Sequence, residues 1–270
     1  MIEALQNMLT YDFMRRALWG VLLMMPLFSL LGTLVVNNGM SFFSDALGHS
    51  ALTGAAVGML FGLAEPQPIM LLFAVLFALL MNAIRCSKLS STDTVIGVFS
   101  SCGVALGLVL LSRHSRFSGY QSLLIGDVLS ITVPQLWVLA GTLVIVFLVW
   151  VFCFNGFFAV SLNPSLARSH GLPTVWLDNL FVVVMALVVM LAVRWVGLLL
   201  INAMLILPAA AARNVARSLR SYVMLTLVFS LFSGLLGLVL SYLNAVATGP
   251  MIVLVSATVF FGTFFMAQRK

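Results

Sequence analysis

Charged residues are so scarce in this chain, 7% of 270 positions, that each one invites a question. Two stand out by type and spacing. Asp45 and His49 lie four residues apart, which puts both side chains on one face of a helix. An ionisable residue inside a membrane helix is costly and commonly faces a cavity or the interior of the bundle. A carboxylate oxygen beside an imidazole nitrogen is a partial shell for a divalent metal. Two ligands do not complete a site, so the remainder must come from other helices, a second subunit or water. The competing reading is structural: an Asp–His hydrogen bond that locks two helices together. Around the pair stand Ser44, Ala46, Gly48, Ser50, Ala51, Gly54, Ala55, Ala56 and Gly58, small residues that let helices approach closely.

The other ionisable groups point less sharply. Glu3, Asp12, Glu65, Asp93, Asp127 and Asp178 mostly fall at the ends of apolar segments, where solvation is easy. His114 and His170 have polar, basic neighbours and read as solvated loop histidines. Cys86, Cys102 and Cys153 are widely spaced with no CxxC, which argues against a disulfide framework or cysteine–metal site and for small packing residues. The two lysines, Lys88 and Lys270, belong to no phosphate-binding GxxxxGK[ST] loop. HExxH and GxSxG are absent as well. Neither an ATP site of that kind nor a hydrolase is supported, and a transport subunit without an enzyme activity of its own is expected.

The elements that must position Asp45 and His49 follow from composition. Hydrophobic residues make up 63% of the chain, and the mean hydropathy is +1.19. Soluble domains are about 25% charged, and a soluble fold this apolar could not cover its surface. In lipid, backbone groups must bond internally, which leaves helices or closed barrels. The apolar runs are continuous and near the roughly twenty residues a helix needs to cross. The expected fold is therefore all-α: one multi-pass transmembrane domain over 1–270, with eight or nine crossings.

The spans are read at 17–36 (with Pro26), 42–63, 68–84, 95–111, 136–154, 175–193, 196–212, 222–243 and 251–266. Pro208 is expected to break the 196–212 segment. Residues 122–131 are too few to cross and read as re-entrant, and 1–14 as a short amphipathic stretch on the membrane. The start, Met1-Ile2-Glu3, lacks the basic character of a signal peptide. The net charge of +6 fits an excess of Arg and Lys in cytoplasmic loops rather than nucleic-acid binding. With 161–173 inside, that side gathers Arg85, Lys88, Arg168, Arg213, Arg217, Arg220, Arg269 and Lys270. The loop Asn163-Pro164-Ser165-Leu166-Ala167-Arg168-Ser169-His170-Gly171-Leu172-Pro173 reads as a short helix between Pro164 and Gly171. It could dock a soluble partner or be a plain capped turn.

In these residues the chain resembles the metal-ion ABC-transporter permeases, the membrane subunits of zinc, manganese and iron importers. Ser44-Asp45-Ala46-Leu47-Gly48-His49-Ser50-Ala51-Leu52 is similar to the family's GDALxHxxL helix. Asp93-Thr94-Val95-Ile96-Gly97 resembles DTxIGI, and Gly126-Asp127-Val128-Leu129 resembles GDIL. Asn163 to Pro173 resembles DPELARALGLP. Val196-Gly197 through Pro208-Ala209-Ala210 resembles VGxLLxxALLxxPAATA, and Thr248-Gly249-Pro250 the final PSGP turn. The matches keep the family's order over almost the whole chain. Departures are Asn37-Asn38 for a basic pair, Ser44 for Gly, Asn163 and Ser165 for acidic residues, and Asn202 where a hydroxyl residue is common.

The resemblance implies a homodimeric permease in the bacterial cytoplasmic (inner) membrane. Its partners would be cytoplasmic ABC ATPase subunits and an extracytoplasmic metal-binding protein. The cargo would be a divalent metal, zinc or manganese, with no permanently bound cofactor. Asp45 and His49 become the metal contacts, and Asn202, Pro208 and Asp127 candidates for the translocation path. Pro164, Leu166, Ala167, Arg168 and Gly171 become the loop that couples to the ATPase. Two rivals are a gradient-driven secondary transporter using Asp45 and His49 as a proton relay, and a purely structural membrane subunit that binds no metal.

Overall fold

A computed structural model describes residues 10–60, 67–87, 89–112 and 128–268. Within them the secondary structure is helical, with no strand. The helices are α1 (Asp12–Asn37), α2 (Phe43–Leu60), α3 (Gln67–Cys86), α4 (Thr92–Ser112), α5 (Val133–Leu162), α6 (Pro164–Ser169), α7 (Thr174–Val196), α8 (Leu198–Val215), α9 (Leu219–Asn244) and α10 (Thr248–Gln268). A single 3₁₀ turn, Val128–Ser130, precedes α5.

Among the described residues, seven helices are long and apolar enough to cross a membrane: α1, α3, α4, α5, α7, α9 and α10. The expected eight or nine included two more. One of these, α2, is helical but built from small and polar residues. The other, α8, supplies only the shorter apolar piece Leu200–Val215. The expected break at Pro208 is not where the chain turns: α8 is helical on both sides of that residue. The interruption falls at Gly197, whose φ of 77° is a conformation that glycine adopts without a steric penalty. At the other end, α1 begins at Asp12, so residues 12–14 belong to a long helix and not to a surface stretch. Of the 122–131 segment, only 128–131 lies among the described residues.

The chain divides into two compact units. The first gathers Met1–Val36, Gly126–Phe152 and Ala203–Lys270. In it α9 runs along α1. The Ser230 hydroxyl donates to the Met25 carbonyl at 3.0 Å, and the Tyr222 hydroxyl to that of Thr33 at 3.3 Å. Such bonds satisfy polar groups that lipid cannot. Gly237 lets α9 approach α10 so closely that an added Cβ would lie 2.6 Å from the Ile252 Cα.

The second unit gathers Asn37–Ile125 and Cys153–Asn202. Its centre is α2, buried on almost every face. The small residues read from the sequence serve close packing here. A Cβ on Gly54 would come within 2.9 Å of the Met70 Cα of α3. On α4, Gly103 and Gly107 face Ser50 and Thr53 of α2, and the Thr53 hydroxyl donates to the Gly103 carbonyl. Further on, Gly156 of α5 admits the Leu177 side chain of α7. The cysteines do not all serve as core packing: Cys86 and Cys102 are exposed and Cys153 half-buried.

Candidate functional site

The turn before α2 sets its start. Gly39 takes a φ of 63°, and the Phe43 amide donates to the Met40 carbonyl at 3.0 Å. Asp45 then falls in the first turn of α2, where the helix dipole favours an anion. One turn on, His49 Nε2 stands 3.4 Å from Asp45 Oδ2. The i,i+4 spacing therefore does bring the two side chains together. Both keep partial exposure, 33% for Asp45 and 30% for His49, in a helix otherwise almost wholly buried. Among the described residues, each is the other's polar partner. The contact stays within one helix, so the reading of an Asp–His bond locking two helices does not describe it.

Next to Asp45, the Ser44 hydroxyl donates to Oδ1 of Asn202. These are two of the positions at which the chain departs from the family pattern, and they meet. Asn202 is half-buried and shares the second unit with Asp45 and His49. Pro208 is buried within α8 and belongs to the first unit. Asp127 lies outside the described residues, as do Glu3, Glu65 and His114. No group of three or more His, Cys, Asp or Glu able to hold a metal occurs among the described residues. Asp45 and His49 thus offer one carboxylate and one imidazole per chain, a half-set of ligands for a divalent cation.

The 163–173 loop folds as read. Asn163 caps α6, its side-chain oxygen accepting the Leu166 amide at 3.0 Å. Pro164 opens the helix, where a missing N–H costs nothing. Asparagine caps about as well as aspartate, so the departure at 163 keeps the cap. Gly171, at φ 76°, ends the turn. Its amide donates to the Arg168 carbonyl at 3.0 Å, and that of Leu172 to the Ala167 carbonyl at 3.1 Å. Ala167 anchors the helix, only 3% exposed, while Leu166 is 56% exposed. Arg168 and His170 are also exposed. The loop presents an apolar residue beside a cation on a fixed frame.

One cluster escaped the sequence reading. Asp178 is not a solvated carboxylate at a segment end. Its side chain is only 21% exposed and lies 3.8 Å from the Arg85 guanidinium, itself 13% exposed. Asn82, buried one turn before Arg85, bonds both Arg85 and Asn179. The available signal was Asp178-Asn179 inside an otherwise apolar run. Asp12 and Asp93 are exposed as expected.

Seven helices apolar enough to cross a membrane, together with a small-residue helix that carries an ionisable pair, make this a multi-pass membrane protein. The sequence pattern of the ABC 3 transport family matches residues 10–267, and the chain belongs to that family. It is 30% identical over 268 residues to the manganese import system permease protein ScaB of Streptococcus gordonii, covering 99% of this chain and 96% of that one. To the high-affinity zinc uptake system membrane protein ZnuB of Haemophilus influenzae it is 31% identical over 241 residues, 88% of this chain and 92% of the other. The solved structure of PsaBC from Streptococcus pneumoniae in complex with Fab superposes with a TM-score of 0.84 at 30% identity, over 98% of this chain and 96% of that one. Family membership places the chain with ATP-driven permeases and gives the gradient-driven rival no support.

Proposed function

We propose that this permease imports divalent manganese or zinc, with Asp45 and His49 as the side chains that the ion meets. The observation that carries the reading is their geometry: an acid and an imidazole 3.4 Å apart, partly exposed, on a helix with no other ionisable residue. The names borne by similar permeases, manganese import and zinc uptake, support the cargo. Carboxylates suit manganese and imidazoles suit zinc, so a mixed pair is compatible with either ion.

One chain offers two ligands, and a second copy would double them to a four-donor set. We therefore read the working unit as a homodimer with the ion path between copies. A set completed by water and by a partner's residues can release its ion, as import requires. Asn202, bonded to Ser44 beside Asp45, joins the lining of that path. Pro208 and Asp127 are assigned to it from the family pattern alone. The loop from Pro164 through Leu166, Ala167 and Arg168 to Gly171 is the surface where a cytoplasmic ATPase docks. An extracytoplasmic metal-binding protein delivers the ion on the opposite side.

The test is uptake by vesicles containing the permease with its ATPase and binding protein. Radiolabelled manganese and zinc are supplied separately. Asp45→Asn and His49→Ala should each lower ATP-dependent uptake about 10- to 100-fold, the range seen when groups supporting a metal site are removed. Uptake unchanged in both variants would sink the assignment.

A further inference from the structure

We infer that Arg85 is a positioning residue that transmits movement of the ATPase-docking loop to the start of the metal-bearing helix; this rests on the function proposed above. A guanidinium that is 13% exposed at the end of an apolar helix needs partners to offset its lost hydration. It has them from several segments of the second unit. Its Nε and one terminal nitrogen donate to Asn82 Oδ1 at 3.0 and 2.8 Å. That same nitrogen lies 3.8 Å from Asp178 Oδ1 on α7. The other terminal nitrogen donates to Met40 Sδ at 3.1 Å. Asn82, 1% exposed, is used at both ends, since its amide nitrogen donates to Asn179 Oδ1 at 2.8 Å.

Each of these anchors has a short path onward. Asp178 and Asn179 lie in the second turn of α7, which follows α6 after four residues. The elbow between the two helices has no slack. Leu172 is bonded back to Ala167, Thr174 to Leu172, and Leu177 to Pro173, all through the backbone. On the other side, Met40 is fully buried, and its carbonyl accepts the first amide of α2. Asp45 follows five residues later. A displacement of α6 therefore has a bonded route to Asp45: α6, the elbow, Asp178 and Asn179, Arg85 with Asn82, Met40, α2.

A clamp that merely holds α3 against α7 would change how much protein survives, and not how much metal moves per ATP. The experiment therefore measures ATP hydrolysis and metal uptake together, in vesicles holding the complete complex. Arg85→Lys keeps the charge but loses the planar fork. Asp178→Asn keeps the shape but loses the ion pair. In each variant hydrolysis should stay within about twofold of the parent while metal moved per ATP falls about tenfold, a usual size for coupling between sites. An unchanged metal-to-ATP ratio in both variants overturns the inference. So does failure of both to co-purify with the ATPase, because that places the cluster in assembly. An unmodified complex that takes up neither manganese nor zinc on ATP defeats the function proposed above instead.

Discussion

Helices α2 and α5 solve opposite problems. The first is 18 residues long, carries Asp45 and His49, and is buried on almost every face. The second runs for 30 residues with no charged side chain and leaves Trp137, Ile145, Phe147 and Phe152 exposed. Lipid itself can accept the surface of α5, since bilayer hydrocarbon is as apolar as the side chains it meets. It cannot accept α2, whose polar groups need protein around them. Thus the helix least able to cross a membrane alone sits at the centre of its unit. The helix best able to cross is the one that least needs neighbours. What α2 requires is close approach, and what α5 requires is absence of charge.

That contrast can be broken by trading the requirements. The largest effect is expected from Ile145→Arg, near the middle of α5 and 63% exposed. A cation at a helix centre costs about 2.5–3.5 kcal/mol of insertion, and the fraction of chain integrated into membranes should fall accordingly. Normal integration would show that α5 does not face lipid at that point. Next comes Gly54→Val in α2, where any Cβ already meets the Met70 backbone. Overpacking of this kind costs about 1–3 kcal/mol, read as a lower melting temperature of the detergent-solubilised permease. A variant as stable as the parent would mean that α2 and α3 can separate cheaply. The smallest effect belongs to Phe152→Leu on α5, 83% exposed. Its unfolding free energy should stay within about 0.5 kcal/mol of the parent's, read as a nearly unchanged melting temperature, and a larger loss would reveal a protein neighbour for that ring.

Much of this was legible in the residues. Continuous apolar runs mark α1, α3, α4, α5, α7, α9 and α10, because lipid imposes the same demand at every position of a crossing. The four-residue spacing of Asp45 and His49 is a local property of a helix, so it survives folding unchanged. So is the Asn163–Gly171 cap-to-cap turn. Two features were not legible. Pro208 drew the break away from Gly197, since a proline is visible in a sequence whereas a φ of 77° is not. The Arg85–Asp178 pair joins residues from helices far apart in the chain, and only packing brings them together. The bond from Ser44 to Asn202 is of the same kind, although both residues were singled out as departures from the family pattern.

The glycines around α2 carry a mechanical consequence. With the Gly54 face pressed on the Met70 backbone, and Gly103 and Gly107 of α4 pressed on Ser50 and Thr53, α2 has no clearance to spin or slide between its neighbours. Asp45 and His49 therefore cannot be re-aimed by a twist of their own helix. Whatever changes the direction they face must carry α2 together with the helices pressed against it, so that re-aiming the pair is a movement of packed neighbours and not of one rod turning in its socket.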